Sequence, residues 1–182
     1  MMAQKMKNTG SIIALEPSER RIRSMSFNLA RCGTYNTCIF KMDGMHVGKL
    51  GMKFDRVLLD APCSCEGVIA KDETRKTSHQ PQDVDYCSDR QEKLIEAAAG
   101  MVRTGGILVY STCSFAPEEN EMVVDRLLRR FPNIAVEPTE HGIDGLTSFG
   151  DIKFDNHLRN TKRLYPHVHD TTGFFIAKLK VS

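Results

Sequence analysis

Two cysteines stand where a thiol could do chemistry. The stretch YSTCSFAPEENE, Tyr110 to Glu121, sets Cys113 at the end of an apolar, strand-like run and just before an acidic helix start. FDRVLLDAPCSC, Phe54 to Cys65, sets Cys63 after a second such run. A cysteine in either place could pack, bind a metal or attack an electrophile. The thiolate is the attacking form, and the unpaired N–H groups near a helix start stabilise negative charge, so Cys113 is well placed to be one.

The other readings are weaker for this pair. Cys63-Ser-Cys65 has one intervening residue where zinc knuckles have two to four, and no second pair follows, so no metal is expected. The six cysteines are spread without a paired framework, which argues against disulfides. Cys32 and Cys38 read as small buried hydrophobes, one on an apolar helix face and one in a strand.

The elements that must position these residues alternate. SIIALE (Ser11 to Glu16) is a short β-branched run, and Pro17 to Gly33 has Ile22, Met25, Leu29 and Cys32 at helical spacing. Pro17 opens that helix and Gly33 closes it. TCIFKM (Thr37 to Met42) is a second strand and FDRVLLD (Phe54 to Asp60) a third. A polar stretch to about Asp89 precedes a helix, RQEKLIEAAAGMV. Then come a strand from Gly106, a helix from Pro117 ended by Pro132, a short strand IAVEP and a last strand, GFFIAKLKV.

Strands separated by helices of about a dozen residues imply βαβ crossovers and a largely parallel α/β sheet. Ligands bind such sheets beyond the carboxyl ends of the strands. Three strand ends here carry an acid, Glu16, Asp43 and Asp60, and a fourth carries Cys113. Each acid alone could be a cap or turn residue; the repetition points to a small-molecule site.

Length and composition bound the rest. A chain of 182 residues is long enough for one domain with a real core, and the net charge of +2 gives no basic tail that would by itself signal nucleic acid. No apolar run approaches a membrane span and the start is not of signal-peptide type, so a cytoplasmic protein without membrane contact is expected. Oligomeric state is not legible.

Suppose the substrate is a pyrimidine ring to be modified at carbon 5. Carbon 5 of a pyrimidine is a poor nucleophile until a thiolate adds at carbon 6; it can then take a methyl group from a sulfonium. The proton left on carbon 5 must be removed before elimination frees the enzyme. One attacking cysteine, one carboxylate and a second proton-handling group meet those needs.

FDRVLLDAPCSCEGV, GGILVYSTCSFAPEENE and RLYPHVHDTTGFFIAKL together resemble the Nop2/Sun (NSUN, RsmB-like) family of RNA cytosine-5 methyltransferases, over essentially the whole chain. The resemblance implies a Rossmann-like class I methyltransferase fold with an antiparallel last strand. It implies a methyl transfer from S-adenosylmethionine to cytosine in rRNA or tRNA. By resemblance Cys113 is the nucleophile, Cys63 assists release, and Asp60 contacts the methionine part of the donor and helps orient the ring. Glu16 would take the ribose hydroxyls and Asp43 the adenine amino group. An unstacked cytosine is expected, because the thiolate must reach carbon 6 over the face of the base. Arg75, Lys76 and Arg163 are the candidate phosphate contacts, in or beyond the stretch Glu66 to Asp89. His167 and His169 are expected in a turn or at a strand edge.

The chain lacks the family's Gly-rich cofactor loop, of approximate pattern Cys-Ala-Ala-Pro-Gly-Gly-Lys; it opens on MMAQKMKN, a helix-former run stopped by Gly10. The expectation is a single, N-terminally truncated catalytic domain, residues 1–182, without the first strand and binding S-adenosylmethionine weakly or not at all. A non-catalytic RNA-binding or assembly module is the competing reading.

Overall fold

The computed structural model of the protein describes residues 1–69, 71–74, 77 and 80–182. They divide into two compact units, Met1–Leu50 and Gly51–Ser182. Among the described residues no helix is long and apolar enough to cross a membrane.

The first unit holds a short helix α1 (Met2–Lys5), strand β1 (Ile12–Leu15), helix α2 (Glu19–Arg31) and strand β2 (Thr37–Phe40). β1 and β2 pair in parallel, Ile12 with Thr37 through Leu15 with Phe40. Parallel neighbours need a crossover, and α2 supplies it. Ile22, Met25 and Leu29 are the half-buried stripe on α2, as their spacing requires, while Cys32 beyond its end is exposed. Cys38 is exposed as well, so neither cysteine is the buried hydrophobe expected; in β2 the alternate residues Thr37 and Ile39 turn inward instead.

The second unit is built on strands β3 (Phe54–Asp60), β4 (Val102–Thr112), β5 (Ile134–Glu137) and, at its end, β10 (Phe174–Val181). β3 and β4 pair in parallel; β10 runs against β4 on one edge and against β5 on the other. Hence β3, β4 and β5 point one way and β10 the other, the Rossmann-like α/β arrangement with an antiparallel last strand. Helix α3 (Pro81–Ala99) crosses from β3 to β4, and α4 (Glu121–Arg130) follows β4. Small strands β6 (Ile143–Asp144) and β9 (Lys162–Leu164) extend the sheet, with β9 beside β10. β7 (Ser148–Phe149) and β8 (Ile152–Lys153) form a separate hairpin, and a one-turn helix α5 (Pro166–His169) precedes β10.

The core follows from period two. Leu108 and Tyr110 of β4, with Phe175, Ala177 and Leu179 of β10, are fully buried on the face that meets Ile95 of α3 and Val123, Val124 and Leu127 of α4. Two element limits differ from the sequence reading. α3 begins eight residues before Asp89, because Gln80 and Asp83 form a reciprocal capping box, with Gln80 N–H donating to Asp83 Oδ2 at 2.9 Å. The helix expected from Pro117 is split into a 3-10 turn, Pro117–Glu119, and α4, with a break at Asn120.

Candidate active site

Two parallel strands deliver the two cysteines to one place. Asp60, the last residue of β3, lies opposite Ser111 of β4, and Ala61 N–H donates to Ser111 O at 2.9 Å. Both chains leave the sheet at the same end, so Cys63 and Cys113 emerge side by side. Their sulfurs are 3.2 Å apart, and Cys113 N–H points at Cys63 Sγ at 3.4 Å.

A buried carboxylate holds the two loops together. Glu119 is fully buried at the end of the 3-10 turn. It accepts from Ser64 N–H (3.0 Å), from Ser114 Oγ (2.8 Å), from Gln91 Nε2 of α3 (2.7 Å) and from Ser64 Oγ. Gln91 Nε2 also donates to Pro62 O at 2.8 Å. Ser64 and Ser114 each follow one of the two cysteines, so this one acid fixes both thiols through their next residues. Thr112 Oγ1 donates to Asn120 Oδ1 at 2.6 Å and Asn120 Nδ2 to Ser114 O at 2.9 Å, which accounts for the break before α4. The Cys113 side is therefore fixed by buried polar groups, each with several partners.

Gly67 closes the site from the other side. Its N–H donates to Cys113 O at 2.8 Å, and its own carbonyl accepts from Gly173 N–H at 2.8 Å. A Cβ on Gly67 would lie 2.6 Å from Cys113 O and from Gly173 O, so only glycine lets these three backbones meet.

The protons are unequally held. A hydrogen bond to the Cys113 sulfur, and then burial, push the Cys63 thiol far above its ordinary range. Burial, with the Glu119 charge next, pushes Cys87 of α3 up to about 12.

A third sulfur joins them. Cys65 Sγ lies 3.8 Å from Cys63 Sγ, and the thiols of Cys63, Cys65 and Cys113 all fall within 4.8 Å of one another. The spacing Cys-Ser-Cys gave no reason to add Cys113 to this set; the parallel strand pair does so.

The expected acids are placed as follows. Asp60 is exposed at the end of β3 and accepts from Ser111 Oγ at 3.2 Å, on the same strand end as the thiols. Glu16 and Asp43 belong to the first unit. Glu16, just past β1, is half-buried and accepts from Ser18 N–H at 2.8 Å; Asp43, past β2, accepts from Met45 N–H at 3.0 Å. Each thus closes a local turn with one oxygen.

Arg163 is not a phosphate contact. It is 3% exposed, its guanidinium is paired with the buried Glu121 carboxylate, with Nε to Oε1 at 2.7 Å, and it donates to Phe115 O at 2.9 Å. Burying that charge demands a buried partner, so it fastens β9 to α4 and to the Cys113 loop. Arg75 and Lys76 lie outside the described residues. His169 is in α5, where its Nδ1 accepts from Tyr165 N–H at 3.0 Å, and the His167 ring tilts against Tyr165.

Sequence reasoning missed Glu119, Gln91 and Gly67. The signal for Glu119 was present: Cys-Ser occurs after both strands, and both serines bond the same acid. Gln91 left none, being one polar residue in a polar helix.

Known proteins match this architecture. The family described as 16S rRNA methyltransferase RsmB/F matches residues 1–180. The chain is 46% identical to the 28S rRNA (cytosine(4447)-C(5))-methyltransferase of Homo sapiens, over 98% of this chain and 23% of that protein. It is 38% identical to the tRNA (cytosine(72)-C(5))-methyltransferase of Pyrococcus horikoshii, over 98% of this chain and 43% of that protein. A crystal structure of a methyltransferase homolog from Pyrococcus horikoshii superposes with a TM-score of 0.90 at 39% identity, over 100% of this chain and 56% of that one. The chain spans less than half the length of either curated relative. On the match along nearly its whole length, the chain belongs to the 16S rRNA methyltransferase RsmB/F family.

Proposed function

We propose that this chain carries the catalytic centre of an enzyme that methylates carbon 5 of cytosine in ribosomal or transfer RNA, with Cys113 as the nucleophile and Cys63 as the group that completes turnover. The observation that supports the reading is the 3.2 Å contact between the two sulfurs, each just past the end of one of two paired parallel strands.

S-adenosylmethionine, the donor this family implies, would supply an electrophilic methyl group. By the chemistry of the donor set the second unit fits it: the carboxylate at the end of β3 suits its ammonium group. Asp60 would hold its methionine part and help orient the cytosine.

The thiols divide the proton work. The Cys113 sulfur, attacking as its thiolate, bonds to carbon 6 and the ring's electrons move to carbon 5, ready for methylation. Once Cys113 is a thioether it no longer carries the charge that held the Cys63 proton. The acidity of Cys63 then returns toward that of an ordinary thiol, and its thiolate becomes the base at hand for the carbon 5 proton. Loss of that proton expels Cys113 and restores the aromatic ring.

The test uses purified protein, S-adenosylmethionine and unmodified ribosomal and transfer RNA. Cys63→Ala should accumulate a denaturant-resistant protein–RNA adduct, because addition proceeds and release stalls. Cys113→Ala should form none. An adduct that survives Cys113→Ala, or its absence from Cys63→Ala, would overturn the assignment.

A further inference from the structure

The proposed chemistry uses two thiols, yet the fold brings in a third. Cys65 reaches the pair only because its backbone adopts φ 65°, the left-handed region uncommon outside glycine, and its S–H donates to Cys63 O at 3.2 Å. The residue on one side of it, Ser64, is locked to Glu119, and two residues on, Gly67 is locked to Cys113 O. The three sulfurs are thus held in place from both ends of the loop.

We infer that Cys63, Cys65 and Cys113 form a binding site for a thiophilic divalent cation, of which Zn²⁺ is the type, and that its occupancy withdraws the nucleophile from RNA. A tetrahedral centre with Zn–S bonds of about 2.3 Å sets its sulfurs about 3.8 Å apart. The sulfurs of Cys63 and Cys65 are at that spacing already, at 3.8 Å, and those of Cys63 and Cys113 need to part from 3.2 Å. All three lie within 4.8 Å of one another, so rotation about the side-chain bonds closes the set.

A cavity of roughly 220 Å³, lined by Cys63, Ser64, Asp83, Tyr86 and Cys87, opens beside Cys63 and gives water access to the Cys63 side of the cluster. Three protein ligands with an open position is the coordination of an accessible zinc, not of a closed structural one. Each thiol gives up its proton as its Zn–S bond forms, so binding releases up to three protons and changes no oxidation state. Bound, the Cys113 electron pair belongs to the metal and cannot add to carbon 6. The site itself stands apart from the proposed function; only its inhibitory consequence rests on that reading.

Cobalt is the probe, because tetrahedral Co²⁺–thiolate centres absorb where Zn²⁺ does not. Titrating the whole 182-residue chain, kept reduced, should give a thiolate-to-cobalt charge-transfer band that saturates at one equivalent and is bleached by Zn²⁺. Cys65→Gly, which suits the left-handed backbone and so preserves the loop, should weaken binding at least tenfold. Cys32→Ser with Cys38→Ser, at exposed sites in the first unit, should leave the affinity within twofold. No band in the wild-type chain, an unchanged affinity in Cys65→Gly, or loss of the band in the Cys32 and Cys38 double variant would each overturn the site. Adduct trapping with a chelator present tests the proposed function by itself. Adduct without a cobalt band sinks the metal site alone, and a cobalt band without adduct sinks the function alone.

Discussion

Removing the Glu119 carboxylate should loosen the unit that holds the thiols by an amount the hydrogen bonds define. Glu119→Ala removes an acceptor from four donors, Ser64 N–H, Ser64 Oγ, Ser114 Oγ and Gln91 Nε2, of which Ser114 Oγ keeps Glu66 Oε2 at 2.5 Å. The two hydroxyls are then still served, since Ser64 Oγ can donate to Ser114 Oγ, already at 3.3 Å, while Ser114 Oγ donates to Glu66. Ser64 N–H and one hydrogen of Gln91 are not, and each buried unsatisfied donor costs about 1–3 kcal/mol, so the loss is about 2–6 kcal/mol. Glu119→Gln is milder. An amide whose oxygen replaces Oε2 still accepts from Ser64 N–H and Gln91, while its NH₂ donates to the two hydroxyls, which accept as readily as they donate.

The chain has no tryptophan, so native-state hydrogen exchange of the Leu108 and Tyr110 amides in β4 is the better assay. In Glu119→Ala those amides should exchange about 30-fold to about 20,000-fold faster, at tenfold per 1.4 kcal/mol, with Glu119→Gln less affected. Equal protection in wild type and Glu119→Ala would refute the view that this acid clamps the loops. So would a Gln variant less protected than the Ala variant.

Gly67→Ala should be destabilising by about 2 kcal/mol or more and lower adduct formation with RNA, because the new Cβ meets backbone carbonyl oxygens of Cys113 and Gly173 at 2.6 Å and neither can swing aside; thermal melting checks the first and adduct trapping the second. Cys87, pushed up to about 12 chiefly by burial, should resist iodoacetamide in the folded chain. At pH 8 a thiol of ordinary pKa, about 8.5, is about a quarter thiolate, and one near 12 about one part in ten thousand, so labelling should be slower by about three orders of magnitude than in urea. Because the folded value is raised, the rate should climb tenfold per pH unit up to about 12; native labelling within tenfold of the rate in urea would contradict the burial.

Much of the fold was legible because burial is written in period. The α2 stripe Ile22, Met25 and Leu29 and the strand Phe54–Asp60 came directly from spacing, since a helix or strand must turn its apolar residues one way. The start of α3 was not, because its first two turns are polar on most sides and only the Gln80–Asp83 box marks the onset. Arg163 misled for a related reason: a basic residue looks exposed in a sequence, and only its meeting with Glu121, 42 positions away, makes a buried place tolerable.

The same division holds at the site. The sequence by itself determined which residues gather at one edge, because Asp60, Cys63 and Cys113 stand at or just past strand ends and strand ends of an α/β sheet face one ligand-binding edge. Only the tertiary structure decided their relation. The register of β3 on β4 sets two sulfurs 50 positions apart at 3.2 Å, Glu119 locks the loops that bear them, and Cys65 enters as a third thiol. Pairing, proton sharing and metal affinity depend on distances of a few ångströms, which residue type and spacing along the chain do not contain.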